Sequence, residues 1–247
     1  MTVLVYPDPE TLAKVTAARL CLALADATAL REEVHLAIAG GSVGTSVLGA
    51  IPDSELAGSV NWASVHVWWV DERFVPMGHA DRNDAAVLPG FAALGIPDGN
   101  IHSMPSPAQA DDVAAGAAQY AATLADYAPE GEAMPLFDVV LLGMGPDGHI
   151  ASLFPGHSGL DVDSAGEPET VAFGVTDSPK PPAERISLSL AAVNHTRNMW
   201  LAAWGAEKAP AIAAGVAGTA ISEIPAAGAR GQMKTLWLTD LAGSANL

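Results

Sequence analysis

Across 247 residues the chain is 50% hydrophobic and carries a formal charge of −17, with 11 Lys and Arg against 28 Asp and Glu. The apolar content is enough to bury a sizeable core in one α/β domain, or at most two. The acidity excludes the basic face that displaces counterions from nucleic acid, and an anionic ligand would need the few cations gathered in one place.

A single cysteine, Cys21, rules out an intrachain disulfide and a Cys-rich metal site, and it reads as a small buried hydrophobe. The N-terminus MTVLVYPDPE has no basic region leading into an apolar run, so no signal peptide is expected. No apolar run reaches the length of a membrane span, about 18 residues. A soluble, cytoplasmic protein with no membrane partner is the expectation.

In chain order, Asp8-Pro9-Glu10 reads as an N-cap, a Pro at the first helical position and an acid in the first turn of an Ala/Leu-rich helix running to about Arg31. HLAIA (His35–Ala39) is predicted as a buried strand ending in Gly40-Gly41-Ser42. SVHVWWV (Ser64–Val70) is a second strand, ending in Asp71-Glu72-Arg73, with Trp68-Trp69 as core packing. A helix follows over Gln109–Tyr127. FDVVLLGM (Phe137–Met144) is a third strand, ending in GPDGH. Asp161–Pro168 reads as a polar loop too short to separate domains. ISLSL and NMWLAAW continue the alternation, then a helix over Glu207–Val216 and a final strand KTLWLTD (Lys234–Asp240).

Continuous apolar strands between helices predict a three-layer α/β/α fold with a mostly parallel, Rossmann-like central sheet. Ligands of such sheets sit beyond the carboxyl ends of the strands. If the strands ending in GGS, DER and GPDGH are neighbours, those three segments converge on one cleft.

Gly143, Gly145 and Gly148 spell G-x-G-x-x-G. A dinucleotide fingerprint would open a long helix and place an acid about 20 residues on. Here Pro155-Gly156 arrives 7 residues after Gly148, and Asp161 and Asp163 fall in a loop with no strand before them. The glycines instead read as a turn that admits a ligand to the backbone and exposes His149. His149 can act as a general acid or base, with Asp147 two residues before it to orient the imidazole.

LGMGPDGHIASLFPG resembles the signature of the 6-phosphogluconolactonases, within the wider family that holds the glucosamine-6-phosphate deaminases. LAIAGGSVG, WWVDERFVP, SPKPPAERISLSL and WGAEKA are similar to further segments of that family, in order and over nearly the whole chain. The resemblance implies a single domain over residues 1–247. The deaminase branch continues its core with Phe-Asn-Glu-Pro-Gly and carries a Tyr where this chain has Arg73. In that register Phe154 replaces the Glu, and a phenyl ring cannot move a proton. The resemblance therefore favours a lactonase acting on 6-phospho-D-glucono-1,5-lactone in the oxidative pentose phosphate pathway.

Opening such a lactone needs a base for the attacking water and fixed donors for the carbonyl oxygen. His149 is the candidate base and Asp147 its orienting partner. Gly40, Gly41 and Ser42 are candidates to bind the substrate's phosphate at a helix N-terminus, although Ser-Val-Gly stands where the family often has Ser-Thr-Pro. Arg73 is the leading candidate for direct phosphate contact, Lys208 the second. Arg185 is balanced between ligand contact and structural ion pair. Asp71 reads as a holder of sugar hydroxyls or of Arg73, Glu72 as a maker of structural pairs, and Gly148 as a close backbone approach to substrate.

No cofactor or metal is required: the seven histidines (35, 66, 79, 102, 149, 157 and 195) show no HExxH-type spacing, although His149 and His157 are near enough in sequence to approach one another. No G-x-S-x-G elbow supports an acyl-enzyme. The expected partner is a small sugar-phosphate lactone, with the protein a monomer or weak dimer. Two other classes compete: a non-catalytic sugar-phosphate sensor, which loss of the His or the cations would have favoured, and a nicotinamide oxidoreductase, which the short segment after the glycines opposes.

Overall fold

Asp8 opens the first helix as expected. Its carboxylate accepts the N–H of Thr11 at 2.7 Å, Pro9 sits at the first helical position, and Glu10 pairs with Lys14 one turn on. The structure, a computed structural model, describes residues 1–160 and 170–247; the loop read at Asp161–Pro168, with its two acids Asp161 and Asp163, lies outside the described residues.

The helices are α1 (Pro9–Leu30), α2 (Gly41–Gly49), α3 (Leu88–Leu94), α4 (Val113–Ala125), α5 (Leu190–Asn194) and α6 (Ala209–Ala217). The strands are β1 (Thr2–Tyr6), β2 (Val34–Ile38), β3 (Val65–Trp69), β4 (Asp71–Arg73), β5 (Ile101–His102), β6 (Phe137–Gly143), β7 (Ala172–Val175), β8 (Arg185–Leu188), β9 (Thr196–Ala202) and β10 (Lys234–Asp240). Seven of them form one sheet in the order β1-β10-β9-β6-β2-β3-β5, every neighbouring pair parallel. A sheet of that kind must be covered on both faces, which is why β2 and β3 are buried at every position.

The chain leaves β2 outward through β3 and β5, then returns to β6 and runs the other way through β9 and β10. Strands β6 and β2 are therefore the point where the winding reverses, and the crevice beyond their carboxyl ends is where a ligand is expected. Strands β6, β2 and β3 are consecutive in the sheet, so the segments after them do converge.

Two strand assignments differ from the sequence reading. Asp71–Arg73 is not the tail of β3, and ISLSL is not part of the main sheet: β4 and β8 pair antiparallel in a second sheet of order β4-β8-β7. The handover happens at Val70. Its N–H still bonds Ile38 of the main sheet, but its carbonyl accepts the N–H of Leu188 in β8. Strand β5 pairs only as far as Trp68, and beyond it the hydroxyl of Tyr120 on α4 accepts the N–H of Trp69 and donates to its carbonyl. Trp68 and Trp69 are both fully buried, as expected of core residues. At about 25 cal/mol per Å², burial of an aromatic of this size stabilises the fold by roughly 4–6 kcal/mol. Cys21 is buried and free. No described helix is long and apolar enough to cross a membrane.

Candidate active site

Beyond the ends of β2, β3 and β6 lies a cavity of about 140 Å³, lined by Gly40, Gly41, Ser42, Asp71, Arg73, His149, Arg185 and Lys208 together with Asn83 and the backbone around Gly143–Gly145. Eight of the ten residues singled out from the sequence thus meet at one place. Asp147 reaches it through His149. Gly148 does not line it. Its N–H is spent on the Gly145 carbonyl, its own carbonyl accepts the N–H of Ala226, and its φ of +82° marks it as the residue that turns the chain. The Gly145 N–H is likewise taken by the His149 carbonyl. The turn therefore keeps these two amides for itself rather than offering them to a ligand.

Gly145 makes room for the histidine: a side chain there would run into the His149 ring and the Asp147 carboxylate. In that space Nδ1 of His149 lies 2.5 Å from Oδ1 of Asp147. The Nδ1–H donates to the carboxylate, which leaves the Nε2 lone pair available; among the described residues nothing bonds to Nε2. Lys180, absent from the sequence-based set, places Nζ 3.0 Å from Oδ2 of Asp147 and 3.0 Å from Nδ1 of His149. Burial raises the Asp147 carboxyl, but the hydrogen bond and charge of His149, with those of Lys180, outweigh it and hold the carboxyl well below the usual carboxylate range. Phe154, buried, closes the other side of the imidazole with ring centroids 4.8 Å apart. It also stands between His149 and His157, which bonds Asp177 instead. Among the described residues no group of His, Cys, Asp and Glu is arranged to hold a metal.

The cationic side is built on β4 and β8. Their register sets Arg73 opposite Arg185. Two like charges in cross-strand positions repel, so each guanidinium is tied down. Arg185 donates from Nε to the Pro182 carbonyl at 3.1 Å and from one terminal nitrogen to the Lys180 and Pro181 carbonyls. Its other terminal nitrogen lies 3.9 Å from Asp71. It is thus both a loop clamp and a cavity wall, and burial depresses its ionisation. Arg73 donates to the side-chain oxygen of Asn83, and its buried Nε has no hydrogen-bond partner among the described residues.

Asn83 is the second residue missed by the sequence reading. Its amide nitrogen donates to the Asp71 carbonyl at 2.8 Å. Asp71 does not pair with Arg73; its carboxylate accepts the Ser152 hydroxyl at 2.7 Å. Glu72 takes the structural part expected of it, accepting the N–H groups of Arg73, Asn83 and Asp84. Burial pushes its carboxyl up to about 7, against those donors and Arg82. Lys208 caps α6 and lies over the Trp204 ring at 5.9 Å, and burial lowers its ammonium, with nearby Glu207 opposing and Lys180 adding. Opposite, α2 begins at Gly41 after the N-cap Gly40. The first N–H groups of a helix lack intrahelical acceptors and carry its positive end.

A family model described as glucosamine-6-phosphate isomerases/6-phosphogluconolactonase matches residues 7–237. The chain belongs to this family. It is 40% identical to 6-phosphogluconolactonase of Streptomyces coelicolor, covering 98% of this chain and 93% of that one. It is 38% identical to 6-phosphogluconolactonase of Mycobacterium tuberculosis, covering 98% and 97%. Among solved structures it is similar to 6-phosphogluconolactonase from Trypanosoma brucei, with a TM-score of 0.80 at 28% identity over 100% of this chain and 98% of that one. The fold is also that of the Thermotoga maritima lactonase, with a TM-score of 0.80 at 21% identity over 97% and 99%. Phe154, packed on His149, sets a phenyl ring and not a carboxylate against that face of the imidazole.

Proposed function

We propose that the chain hydrolyses 6-phospho-D-glucono-1,5-lactone to 6-phospho-D-gluconate, in the cytoplasmic oxidative pentose phosphate pathway, with His149 as the base. The observation that carries this reading is the meeting of an Asp-oriented imidazole with three cations and a helix N-terminus around one cavity. The like-named relatives support the substrate, which is a phosphate ester and needs such a binding end.

In this reading Arg73, Lys208 and the first amides of α2 hold the phosphate, charge-assisted bonds being the strong ones. Asp71 and Asn83 face the sugar hydroxyls. The Nε2 of His149 takes a proton from water as its oxygen attacks the lactone carbonyl carbon. The charge that develops on the carbonyl oxygen is met by the Arg185 terminal nitrogen that the loop carbonyls leave free. The tetrahedral adduct collapses by breaking the bond to the ring oxygen, and the imidazolium returns its proton to that oxygen. The sugar phosphate is the small-molecule partner, and the chain works as a monomer or weak dimer.

The test is hydrolysis of freshly generated lactone by wild type and His149→Ala, with the spontaneous rate subtracted. Wild type should turn over rapidly, and the variant should lose roughly 100- to 10,000-fold. Equal rates well above background would discard His149 as the base. No turnover by either protein would discard the lactonase reading in favour of a binding protein.

A further inference from the structure

We propose that Lys180 is a positioning residue that balances Asp147 at the Nδ1 side of His149, so that the imidazole stays neutral and Nε2 stays ready to accept a proton. The inference deepens the proposed reaction and rests on it for the use made of that proton.

Lys180 is half-buried and held by several bonds. Its carbonyl accepts the Ser178 hydroxyl at 2.8 Å and Arg185 at 3.0 Å, and its N–H bonds the same Ser178 oxygen at 3.2 Å. Two prolines follow it. Its ammonium lies 5.9 Å from the centre of the Phe154 ring, in contact with both Asp147 and His149. It is held there although Arg185 lies 5.7 Å from the same ring and although it repels Lys208. Among four lysines in an acidic chain, one is fixed where other cations already crowd. The carboxylate of Asp147 is what makes that position favourable.

The chemistry of two successive proton transfers gives the placement a purpose. Asp147 alone would orient the ring but would also stabilise the imidazolium, drawing a proton onto His149 before water is bound and slowing its return to the leaving oxygen. A cation in contact with both Nδ1 and the carboxylate cancels much of that pull while the Nδ1–H bond to Asp147 still fixes the tautomer. The other charged groups of the cavity, Asp71, Arg73, Arg185 and Lys208, make no bond to the ring. Lys180 is not among the residues that line the cavity; its ammonium contacts Asp147 and His149.

The experiment follows the His149 ring directly, by NMR titration of its Cε1–H, assigned by difference with His149→Gln. It is run in wild type, Lys180→Met, Lys180→Arg and Asp147→Asn, beside pH profiles of lactone kcat/KM. Removing the charge should raise the His149 midpoint, and the acid limb of kcat/KM, by about one pH unit. Lys180→Arg should hold both near wild type, and Asp147→Asn should lower both. A midpoint unmoved in Lys180→Met, or moved equally by Met and Arg, overturns the proposal. Lys180→Gln serves the same comparison if the Met variant does not fold. The titration needs no turnover, so a wild type inactive on the lactone would remove the proposed reaction while leaving the charge balance at His149 decided on its own data.

Discussion

Asn83 receives a guanidinium N–H of Arg73 on its side-chain oxygen while its amide donates to the Asp71 carbonyl. One neutral side chain thus sets the guanidinium at the cavity wall. In Asn83→Ala, Arg73 loses the one side-chain acceptor it has among the described residues. KM for the phosphorylated lactone should rise about tenfold, the worth of a hydrogen bond to a charged group, with kcat changed far less. Steady-state kinetics separates the two, and a fall in kcat at constant KM would contradict the assignment.

Arg82 anchors the same loop from below. It is 2% exposed and bonds Asp84 through Nε and a terminal nitrogen, as well as the Val75 and Met104 carbonyls. Replacing it by Met leaves the Asp84 carboxylate buried and unpaired, and the cost should be about 3–5 kcal/mol. Urea unfolding at neutral pH measures it. A loss below 1 kcal/mol would mean that the loop relaxes to let water in.

Gly145→Ala tests the close approach of the His149 ring. The added methyl displaces the imidazole, and a shift of about 1 Å at a reacting group costs about 100-fold in turnover. Lactone kinetics beside a thermal melt would show whether kcat falls further than stability explains; unchanged kcat would mean that the ring position is not critical.

Buried histidines on three adjacent strands contribute to the acid sensitivity expected of the fold. His35, His66 and His102 lie on adjacent strands; Nδ1 of His66 is 3.0 Å from Nε2 of His102, and His102 stacks on Trp68. Burial, with neighbouring histidine charges adding to it, holds His35 at about 3 and His102 at about 4. A base held below its unfolded value of 6.5 contributes stability that is present above that pH. That stability is lost as pH falls through the folded value. Each such histidine adds a slope of about 1.4 kcal/mol per pH unit in its window. In His102→Gln the loss between pH 6.5 and about 4 should be shallower by about one proton. Denaturant midpoints across that range read it, and a slope equal to wild type would place the acid sensitivity elsewhere.

The sheet was legible because its inner strands are continuous apolar runs. HLAIA and KTLWLTD announce themselves by composition. β1 and β5 did not, the first being a short edge strand and the second two residues long. The second sheet was hidden because the switch at Val70 depends on Leu188, far along the chain. The site divides the same way. His149, Arg73 and the Gly-Gly-Ser turn carry their chemistry in local sequence. Asn83, Ser152 and Lys180 matter through partners brought near by folding; Ser152 and Asp71 are 81 positions apart. Gly148 was misplaced because spacing alone does not tell which amides a turn consumes.

The charge of the chain bears on how a catalytic cycle would end. Ring opening turns the substrate's neutral lactone group into a carboxylate, so the product leaves with one more negative charge than the substrate brought. Inside the cavity Arg73, Arg185 and Lys208 would hold that product more firmly than the lactone. The molecule as a whole bears a formal −17, which favours the outward escape of an anion once it has left those cations and disfavours its recapture. Salt screens both fields, so the balance between product inhibition and product escape would shift with ionic strength.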